Sequence, residues 1–322
     1  MRVLLTAAGR RNYLVRYFQQ AGATVIAADT SKYAAALAAA DIALRAPLSN
    51  VPEYPDFITD VCRDYDVDLA LSVNDHDLLP LSRMKGALAE VGTTAIVADP
   101  DIVQLAADKV STNQLAERLG IGTVRMWTSV EEALGAADPP RAWVVKRRFG
   151  SGSTGLFVVQ GPEELQAGVA LSPNNSSSRD EQQAEVVIQE FLQGEEYGLD
   201  VLNDFQGSHT TTWVKRKLRM RAGETDLAEV VQDHELVSLG AEIGRELQHP
   251  GLADVDVIRT SSGLKLLDIN PRFGGGYPFS HAAGANAPAC LVAWKSEEPL
   301  HAAWLNPSIG TVSAKYDLVT QS

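Results

Sequence analysis

Residues 254–272 read DVDVIRTSSGLKLLDINPR. Two runs rich in Val, Ile and Leu flank a short polar segment with a glycine, and this pattern predicts a β-hairpin. Side chains alternate between the two faces of a strand, so Asp254 and Asp256 share one face, as do Asp268 and Asn270. A three-residue loop over 261–263, with its glycine in the left-handed region, would place Asp256 opposite Asp268 and Asp254 opposite Asn270.

The opposed carboxylates of this hairpin predict a metal site. Carboxylates that face each other directly repel unless a positive charge lies between them. Ligands that are all oxygen suit magnesium bound together with phosphate oxygens. We therefore expect the opposed side chains of this hairpin to bind Mg²⁺, and Arg272, just past the strand, to stabilise a transferring phosphoryl group. The alternative is an acidic hairpin that faces solvent.

A second motif, residues 144–155, reads VVKRRFGSGSTG. Lys146 ends a predicted strand, and small residues that can cover a triphosphate follow it. Glycines let backbone N–H groups approach phosphate oxygens, and the lysine supplies a compact positive charge. The alternative is a plain β-hairpin with a glycine loop. The predicted phosphate contacts, besides Lys146, are Gly150, Ser151, Gly152, Ser153 and Gly155.

A third motif, residues 187–200, reads VIQEFLQGEEYGLD. Two predicted strands joined by a short connector place Glu190 and Glu196 at the two ends of a hinge. Main-chain groups of such a hinge can hydrogen-bond an adenine edge, and a carboxylate can accept from ribose hydroxyls. An exposed acidic turn is the alternative for this stretch.

The remaining sequence predicts an α/β N-terminal lobe followed by α+β lobes. Residues 1–107 alternate strands and helices, which is typical of a doubly wound parallel sheet. Gly9 follows the first strand, but no G-x-G-x-x-G follows it, so a Rossmann dinucleotide site is not expected. The predicted strands are 3–6, 24–28, 69–73, 94–97, 142–146, 156–160, 186–191, 199–203, 210–217, 254–259 and 264–270. The predicted helices are 13–21, 34–40, 56–65, 108–119 and 236–247, and a surface loop is predicted over 172–183.

Composition excludes several classes of protein. Of 322 residues, 45% are hydrophobic and 21% are charged, as in an ordinary globular protein. The net charge of −13 argues against a nucleic-acid partner, which requires clustered positive charge. Two cysteines without Cys-x-x-Cys spacing fit a reducing cytoplasm. No apolar stretch is long enough for a membrane span, and the apolar start predicts a strand rather than a signal peptide.

With these three motifs in order, the chain resembles the ATP-grasp superfamily, especially members similar to the carbamoyl-phosphate synthetase large subunit. The resemblance implies a pre-ATP-grasp domain over 1–107, a small lid subdomain over 108–187 and a large subdomain over 188–322. Its most specific match is the stretch 268–276, DINPRFGGG, which resembles the metal-binding signature of the family. Three positions depart from the family pattern: Asp268 stands where glutamate is commoner, Asp256 where glutamine or glutamate is common, and Arg147 where proline is common.

The resemblance implies roles for the matching positions. Lys109 and Lys146 contact ATP phosphates, residues 150–155 form the phosphate lid, and Glu196 takes the ribose. Glu190, Phe191 and Leu192 frame the adenine. Asp256, Asp268 and Asn270 bind one or two Mg²⁺ ions, with Mn²⁺ as an alternative ion. Arg272, with Lys146, is the expected catalytic residue, contacting the acyl phosphate or its γ-phosphate precursor.

The function that follows is an ATP- and Mg²⁺-dependent ligase that activates a carboxylate as an acyl phosphate and joins it to an amine. Strand alternation puts Arg219 and Arg221 on one face, suited to a substrate carboxylate, and Glu224 could receive the amine. Two alternatives stay open: a carbamoyl-phosphate-synthetase-like kinase of carbamate or bicarbonate, and a non-catalytic nucleotide-binding subunit. The expected partners are small carboxylate and amine substrates, and many ATP-grasp proteins are homodimers.

Overall fold

The computed structural model describes residues 1–149, 155–172 and 186–319. The predicted lid residues Gly150, Ser151, Gly152 and Ser153 lie outside the described residues, and so does nearly all of the loop predicted over 172–183. The described chain contains three β-sheets with helices packed against them.

The first sheet is parallel, with strand order β3-β2-β1-β4-β5. The four strands predicted here are confirmed, whereas β3 was not predicted because it is a four-residue edge strand with alternating burial. The order turns between β1 and β4, and open α/β sheets bind ligands at such switch points. The strands are β1 Arg2–Thr6, β2 Thr24–Asp29, β3 Ile42–Arg45, β4 Leu69–Ser72 and β5 Thr94–Ala95. The helices are α1 Asn12–Gln20, α2 Ala35–Ala39, α3 Tyr54–Asp64, α4 Asp75–Arg83, α5 Lys85–Glu90 and α6 Pro100–Ala107.

The second sheet has four short strands in the order β6-β9-β7-β8. Trp143, Val145 and Ile188 form its small core with Leu165 of the adjoining helix. Helix α7, which precedes these strands in the chain, follows Asp108, which caps its first turn by accepting from the Val110 N–H at 3.0 Å. The elements are α7 Lys109–Arg118, β6 Met126–Trp127, α8 Val130–Leu134, β7 Ala142–Arg147, β8 Phe157–Gln160, α9 Gly161–Leu171 and β9 Val186–Glu190.

The third sheet is antiparallel and has six strands in the order β14-β13-β10-β11-β12-β15. Strand β12 was not predicted as a strand. The elements are β10 Glu195–Asn203, β11 His209–Arg221, β12 Glu224–Val231, α10 His234–Leu247, β13 Gly251–Thr260, β14 Gly263–Asn270, α11 Tyr277–Ala282, α12 Ala287–Lys295, α13 Ala302–Leu305 and β15 Val312–Ala314.

The hairpin of β13 and β14 has the predicted pairing of its acidic residues, but the loop and the register that produce this pairing differ from the prediction. Asp256 pairs with Asp268 and Asp254 with Asn270, as expected. The loop, however, is one residue shorter, because Thr260 pairs with Gly263. A β-bulge between Asp256 and Val257 restores the register. The bulge, and not a three-residue loop, therefore places Asp256 opposite Asp268.

The first and third sheets share one hydrophobic core. Val3 and Leu71 of the first sheet pack in the same buried cluster as Trp213 and Leu252 of the third, together with Tyr277 of α11. Leu115 of α7 packs into the core of the third sheet. The lobe boundaries at 107 and 187 stay a prediction. Among the described residues, no helix is both long enough and apolar enough to cross a membrane.

Candidate active site

A cavity of about 320 Å³ opens where the third sheet, the end of β7 and the loop after β1 come together. Its wall is one face of β14, β13, β10 and β11, and the pairing of these strands decides which side chains lie there. Asp256 pairs with both Asp268 and Gly198, and Gly198 pairs with Lys215. The face therefore carries acidic side chains on one side of Gly198 and lysines on the other.

Gly198 makes room for the two lysines of this face. A Cβ atom at this position would lie 3.3 Å from Lys215 Cε and 3.7 Å from Lys217 Cε. Lys217 forms an ion pair with Asp256 at 2.7 Å and lies 3.7 Å from Glu196. Burial opposes the charge of Lys217, but Asp256 and Glu196 outweigh it and raise its pKa above the usual value. Lys217 therefore stays charged beside the predicted metal ligand.

Lys215 belongs to a buried network beneath the cavity. Its ammonium pairs with Asp200, whose carboxylate is fully buried. The same carboxylate accepts a hydrogen bond from Ser280 Oγ at 2.5 Å. A buried charge is tolerated when it is paired and hydrogen-bonded, so this network fixes Lys215 at the cavity wall.

The acidic residues of the face repel one another in a poorly hydrated place. Burial, followed by the charge of Asp256, raises the pKa of Asp254. Burial also raises the pKa of Asp268, although Lys109 and Lys146 oppose the effect. Lys109 Nζ lies 3.6 Å from Asp268 Oδ1. A cation between Asp256 and Asp268 would relieve the repulsion.

These residues fit a magnesium ion held together with phosphate oxygens. Within the described ranges, no three His, Cys, Asp or Glu side chains cluster as a metal cage. Mg²⁺ is usually bound by one or two carboxylates plus substrate phosphates rather than by a cage of protein ligands. Asp256 and Asp268, with the Asn270 amide beside them, supply oxygen donors of that kind.

Two lysines from different elements converge on the acidic face. Arg148, just after β7, forms a two-point ion pair with Asp108, with both N···O distances at 2.7 Å. This pair fixes the start of α7 against the end of β7, so Lys109 and Lys146 both line the cavity. Burial, reinforced by the nearby Lys109 charge, lowers the pKa of Lys146 to about 8, although Asp268 and Asp256 oppose the shift. An anion such as a phosphate would be stabilised between these two lysines.

The predicted hinge is only partly at the cavity. Glu196 lines it. The carboxylate of Glu190 instead accepts from the Arg125 main-chain N–H at 3.1 Å and from Arg125 Nε at 2.7 Å. Phe191 is exposed and Leu192 half-buried, and neither lines the described part of the cavity, nor does Gly155. Their adenine and phosphate contacts stay a prediction.

Arg272 lines the cavity and is fixed by the N-terminal sheet. Its Nε and Nη2 atoms donate to the two carboxylate oxygens of Asp75, each at 2.7 Å. Nη2 also donates to Asn270 Oδ1 at 3.2 Å. Asp75 is the first residue of α4, which follows β4 after a two-residue connection. The arginine predicted to contact the transferring phosphoryl group is thus oriented by another lobe.

The structure does not bring Arg219 and Arg221 into the cavity, contrary to the expectation for them. Both form ion pairs with Asp226, at 2.7 and 3.1 Å, and both are more than half exposed. Register shifts after Lys217 and again after Arg219 break the alternation of β11, so Met220 lines the cavity instead. Glu224 does line the cavity, as expected for a substrate contact.

Arg11, Asp75, Lys215 and Lys217 are among the residues of the site that were not assigned to it from the sequence. The two lysines could have been found, because they occupy alternate positions of a predicted strand and so share one face of it. Arg11 lies in the loop after β1 and Asp75 begins α4, and only the three-dimensional packing brings them to the third sheet.

Two family profiles match the chain. Residues 3–96 match the family described as PylC-like, N-terminal domain. Residues 182–310 match the family described as ATP-grasp in the biosynthetic pathway with Ter operon. A search of curated protein sequences found no significant match.

Solved structures share the fold at low sequence identity. The biotin carboxylase domain of Hydrogenobacter thermophilus 2-oxoglutarate carboxylase, solved with MgADP, ADP and bicarbonate, has a TM-score of 0.75 at 16% identity, over 96% of this chain and 73% of that one. Campylobacter jejuni biotin carboxylase in a β-γ-ATP complex has a TM-score of 0.74 at 14% identity, over 96% of this chain and 74% of that one. Staphylococcus aureus N5-carboxyaminoimidazole synthetase complexed with ADP has a TM-score of 0.73 at 14% identity, over 97% of this chain and 79% of that one.

The narrower resemblance to the carbamoyl-phosphate synthetase large subunit stays a prediction. The chain has the ATP-grasp fold, in which residues 3–96 are similar to PylC-like N-terminal domains and residues 182–310 to the ATP-grasp family named above.

Proposed function

We propose that the protein is an ATP- and Mg²⁺-dependent ligase that joins a small carboxylic acid to an amine through an acyl phosphate. The observation that carries the proposal is the arrangement of Lys109 and Lys146 beside the opposed carboxylates of Asp256 and Asp268. Two lysines suit phosphate oxygens, and two carboxylates suit the cation that accompanies them. Arg272 lies at the same cavity, where a transferring phosphoryl group would be.

The reaction proceeds in two displacements. An oxygen of the acid attacks the γ-phosphorus of ATP, and the bond between that phosphorus and the ADP oxygen breaks. The amine nitrogen then attacks the acyl carbon, the bond from that carbon to the phosphate oxygen breaks, and the nitrogen loses a proton. ADP, phosphate and an amide are the products.

The residues of the cavity act by positioning and by neutralising charge. Lys109 and Lys146 neutralise phosphate oxygens, and the guanidinium of Arg272 stabilises the transferring group. The ion held by Asp256, Asp268 and Asn270 would neutralise charge on the phosphates of ATP. Water must be kept from the mixed anhydride, which would otherwise hydrolyse. We expect the residues over 150–155 to supply that cover.

Structures of the same fold support nucleotide use. Those cited above were solved with ADP, MgADP or a β-γ-ATP ligand, and we infer the same ligand class here. One of them is a domain dimer, and a homodimer is our expectation for this chain.

The proposal is tested by incubating the protein with Mg²⁺, ATP and pooled carboxylic acids and amines, while measuring phosphate release and product masses. The expected result is phosphate release that requires one acid and one amine, with a new mass equal to their sum less water. Carbamoyl phosphate formed from bicarbonate and ammonia would support the kinase alternative. Nucleotide binding without turnover across the pools would favour a binding subunit, and an Asp268→Asn variant with unchanged turnover would contradict the assigned site.

A further inference from the structure

The end of the cavity away from Lys109 and Lys146 holds none of the phosphate contacts assigned to those two lysines, yet it is strongly polar. Gly275 and Gly276 line this side directly after Gly274, and at each of the three glycines a charged side chain lies close to where a Cβ atom would be. A Cβ at Gly274 would overlap the Asp254 carboxylate, and one at Gly276 would lie 3.3 Å from Lys215 Cε. At Gly275 it would lie 3.2 Å from Arg11 Nη1 and 3.7 Å from Glu224 Cδ.

Arg11 differs from most cations of this cavity. Lys109, Lys215, Lys217 and Arg272 each have a carboxylate partner within 4 Å. No carboxylate of the described residues lies that close to Arg11, whose Nη1 donates only to the Tyr13 hydroxyl, at 3.2 Å, among those residues. Lys146 and Arg147 also lack such a partner, but they belong to the phosphate end at β7. Arg11 is therefore available for a different anion.

The loop that carries Arg11 is held in a fixed and costly conformation. Ala7, directly after β1, has a φ of +46°, which is uncommon for a residue other than glycine and typical of functional sites. The Gly9 N–H donates to Asp29 Oδ2 at 2.8 Å, and the Arg11 N–H donates to the Ala8 carbonyl at 2.9 Å. The loop lies at the switch point of the parallel sheet, where such sheets bind ligands. Arg11 is thus preorganised towards the cavity.

Glu224 supplies the opposite charge at the same place. The Cβ position at Gly275 lies 3.2 Å from Arg11 Nη1 and 3.7 Å from Glu224 Cδ. The guanidinium of Arg11 and the carboxylate of Glu224 are therefore close to each other. Lys315 binds Glu224 Oε2 at 2.9 Å, which fixes the carboxylate. A cation and an anion side by side, each fixed by its own contacts, are complementary to a ligand that carries a carboxylate next to an ammonium group.

We propose that Arg11 and Glu224 form the acceptor subsite of this enzyme, and that the acceptor is an α-amino acid whose carboxylate binds Arg11 and whose amino group lies at Glu224. The inference rests on the proposed ligase function. Arg272 is two residues before Gly274 in the chain, so an amine at Glu224 would lie near the activated acid. The subsite replaces Arg219 and Arg221, which their ion pairs with Asp226 keep outside the cavity.

The test measures binding to the full-length protein in the presence of Mg²⁺ and ADP. Each proteinogenic α-amino acid is titrated by calorimetry, and every one that binds is compared with its α-amide, which lacks the carboxylate. We expect at least one amino acid to bind at least tenfold more tightly than its amide. Arg11→Gln should reduce amino-acid affinity to that of the amide and leave MgADP affinity unchanged, whereas Arg11→Lys should restore part of it.

Two control variants separate the outcomes. Arg16→Gln changes an exposed arginine of α1, the helix that follows the Arg11 loop, and should behave as the wild type, as should Arg219→Gln. Equal affinity for amino acid and amide, undiminished binding by Arg11→Gln, or binding of MgADP without any amino acid would each overturn the subsite while leaving ligase function intact. Absence of MgADP binding would overturn the proposed function itself, and the subsite with it.

Discussion

Replacing Asp75 with Asn tests the coupling between the N-terminal sheet and the candidate active site. Asp75 forms a two-point ion pair with Arg272, with both N···O distances at 2.7 Å. The Arg272 side chain is only 9% exposed and that of Asp75 is 26% exposed. The substitution keeps the shape of the side chain and removes its charge, so it leaves a buried guanidinium without its main partner.

The magnitude follows from the burial of Arg272. Removing one partner of a buried ion pair costs about 3–5 kcal/mol, because the remaining charge is uncompensated. Asp254 and Asp268 also carry negative charge near Arg272, so we expect the lower end, about 3 kcal/mol. A matched control is Asp60→Asn, which removes the charge from an exposed pair with Arg63 at 2.7 Å. That pair should contribute less than about 1 kcal/mol.

Urea unfolding is followed by circular dichroism, and ATP turnover is measured in the presence of the carboxylic acid substrate. We expect Asp75→Asn to lower both the unfolding midpoint and turnover, because Arg272 loses the contact that orients it. Asp60→Asn should change neither. A loss of stability for Asp75→Asn no larger than that for Asp60→Asn would refute the reasoning.

Three further predictions concern packing, pH and metal. Gly274→Ala should abolish most ATP turnover, because the new Cβ would overlap the Asp254 carboxylate, whereas Gly86→Ala in α5, with open space around it, should leave turnover unchanged. Burial lowers the pKa of His249 to about 4 from 6.5. The contribution of His249 to the unfolding free energy should therefore be fully present above pH 6.5 and be lost as pH decreases towards 4, by on the order of 3 kcal/mol. Urea unfolding of His249→Gln should show a smaller decrease over this pH range than the wild type, and an equal decrease would contradict the assignment. Chelating Mg²⁺ should weaken ADP binding in the wild type at least tenfold, measured by calorimetry, and much less in Asp268→Asn.

Local patterns of the sequence were enough to predict much of the fold. The βα alternation predicted the parallel sheet, and strand alternation predicted that Asp256 faces Asp268. That pairing was predicted from a three-residue loop, whereas the structure reaches it through a bulge. A bulge depends on packing and twist around the strand, and no residue type at 256–257 indicates it.

The parts of the site that could not be predicted depend on contacts between distant segments. Asp75 and Arg272 are 197 residues apart in the chain, and only the shared core of the first and third sheets brings them together. Arg219 and Arg221 were predicted to face the substrate because a regular strand alternation was assumed for them. Two register shifts in β11 break that alternation. Local periodicity determines the face of a regular strand, but it does not determine where regularity ends.

The most direct test of the central claim follows the oxygen atoms of the acid substrate. The acid found by the pooled assay is labelled with ¹⁸O in its carboxyl group, and the phosphate released during single-turnover ligation is analysed by mass spectrometry. An acyl-phosphate route predicts ADP together with phosphate that carries one ¹⁸O atom from the acid. Unlabelled phosphate, or AMP with pyrophosphate in place of ADP, would contradict the account.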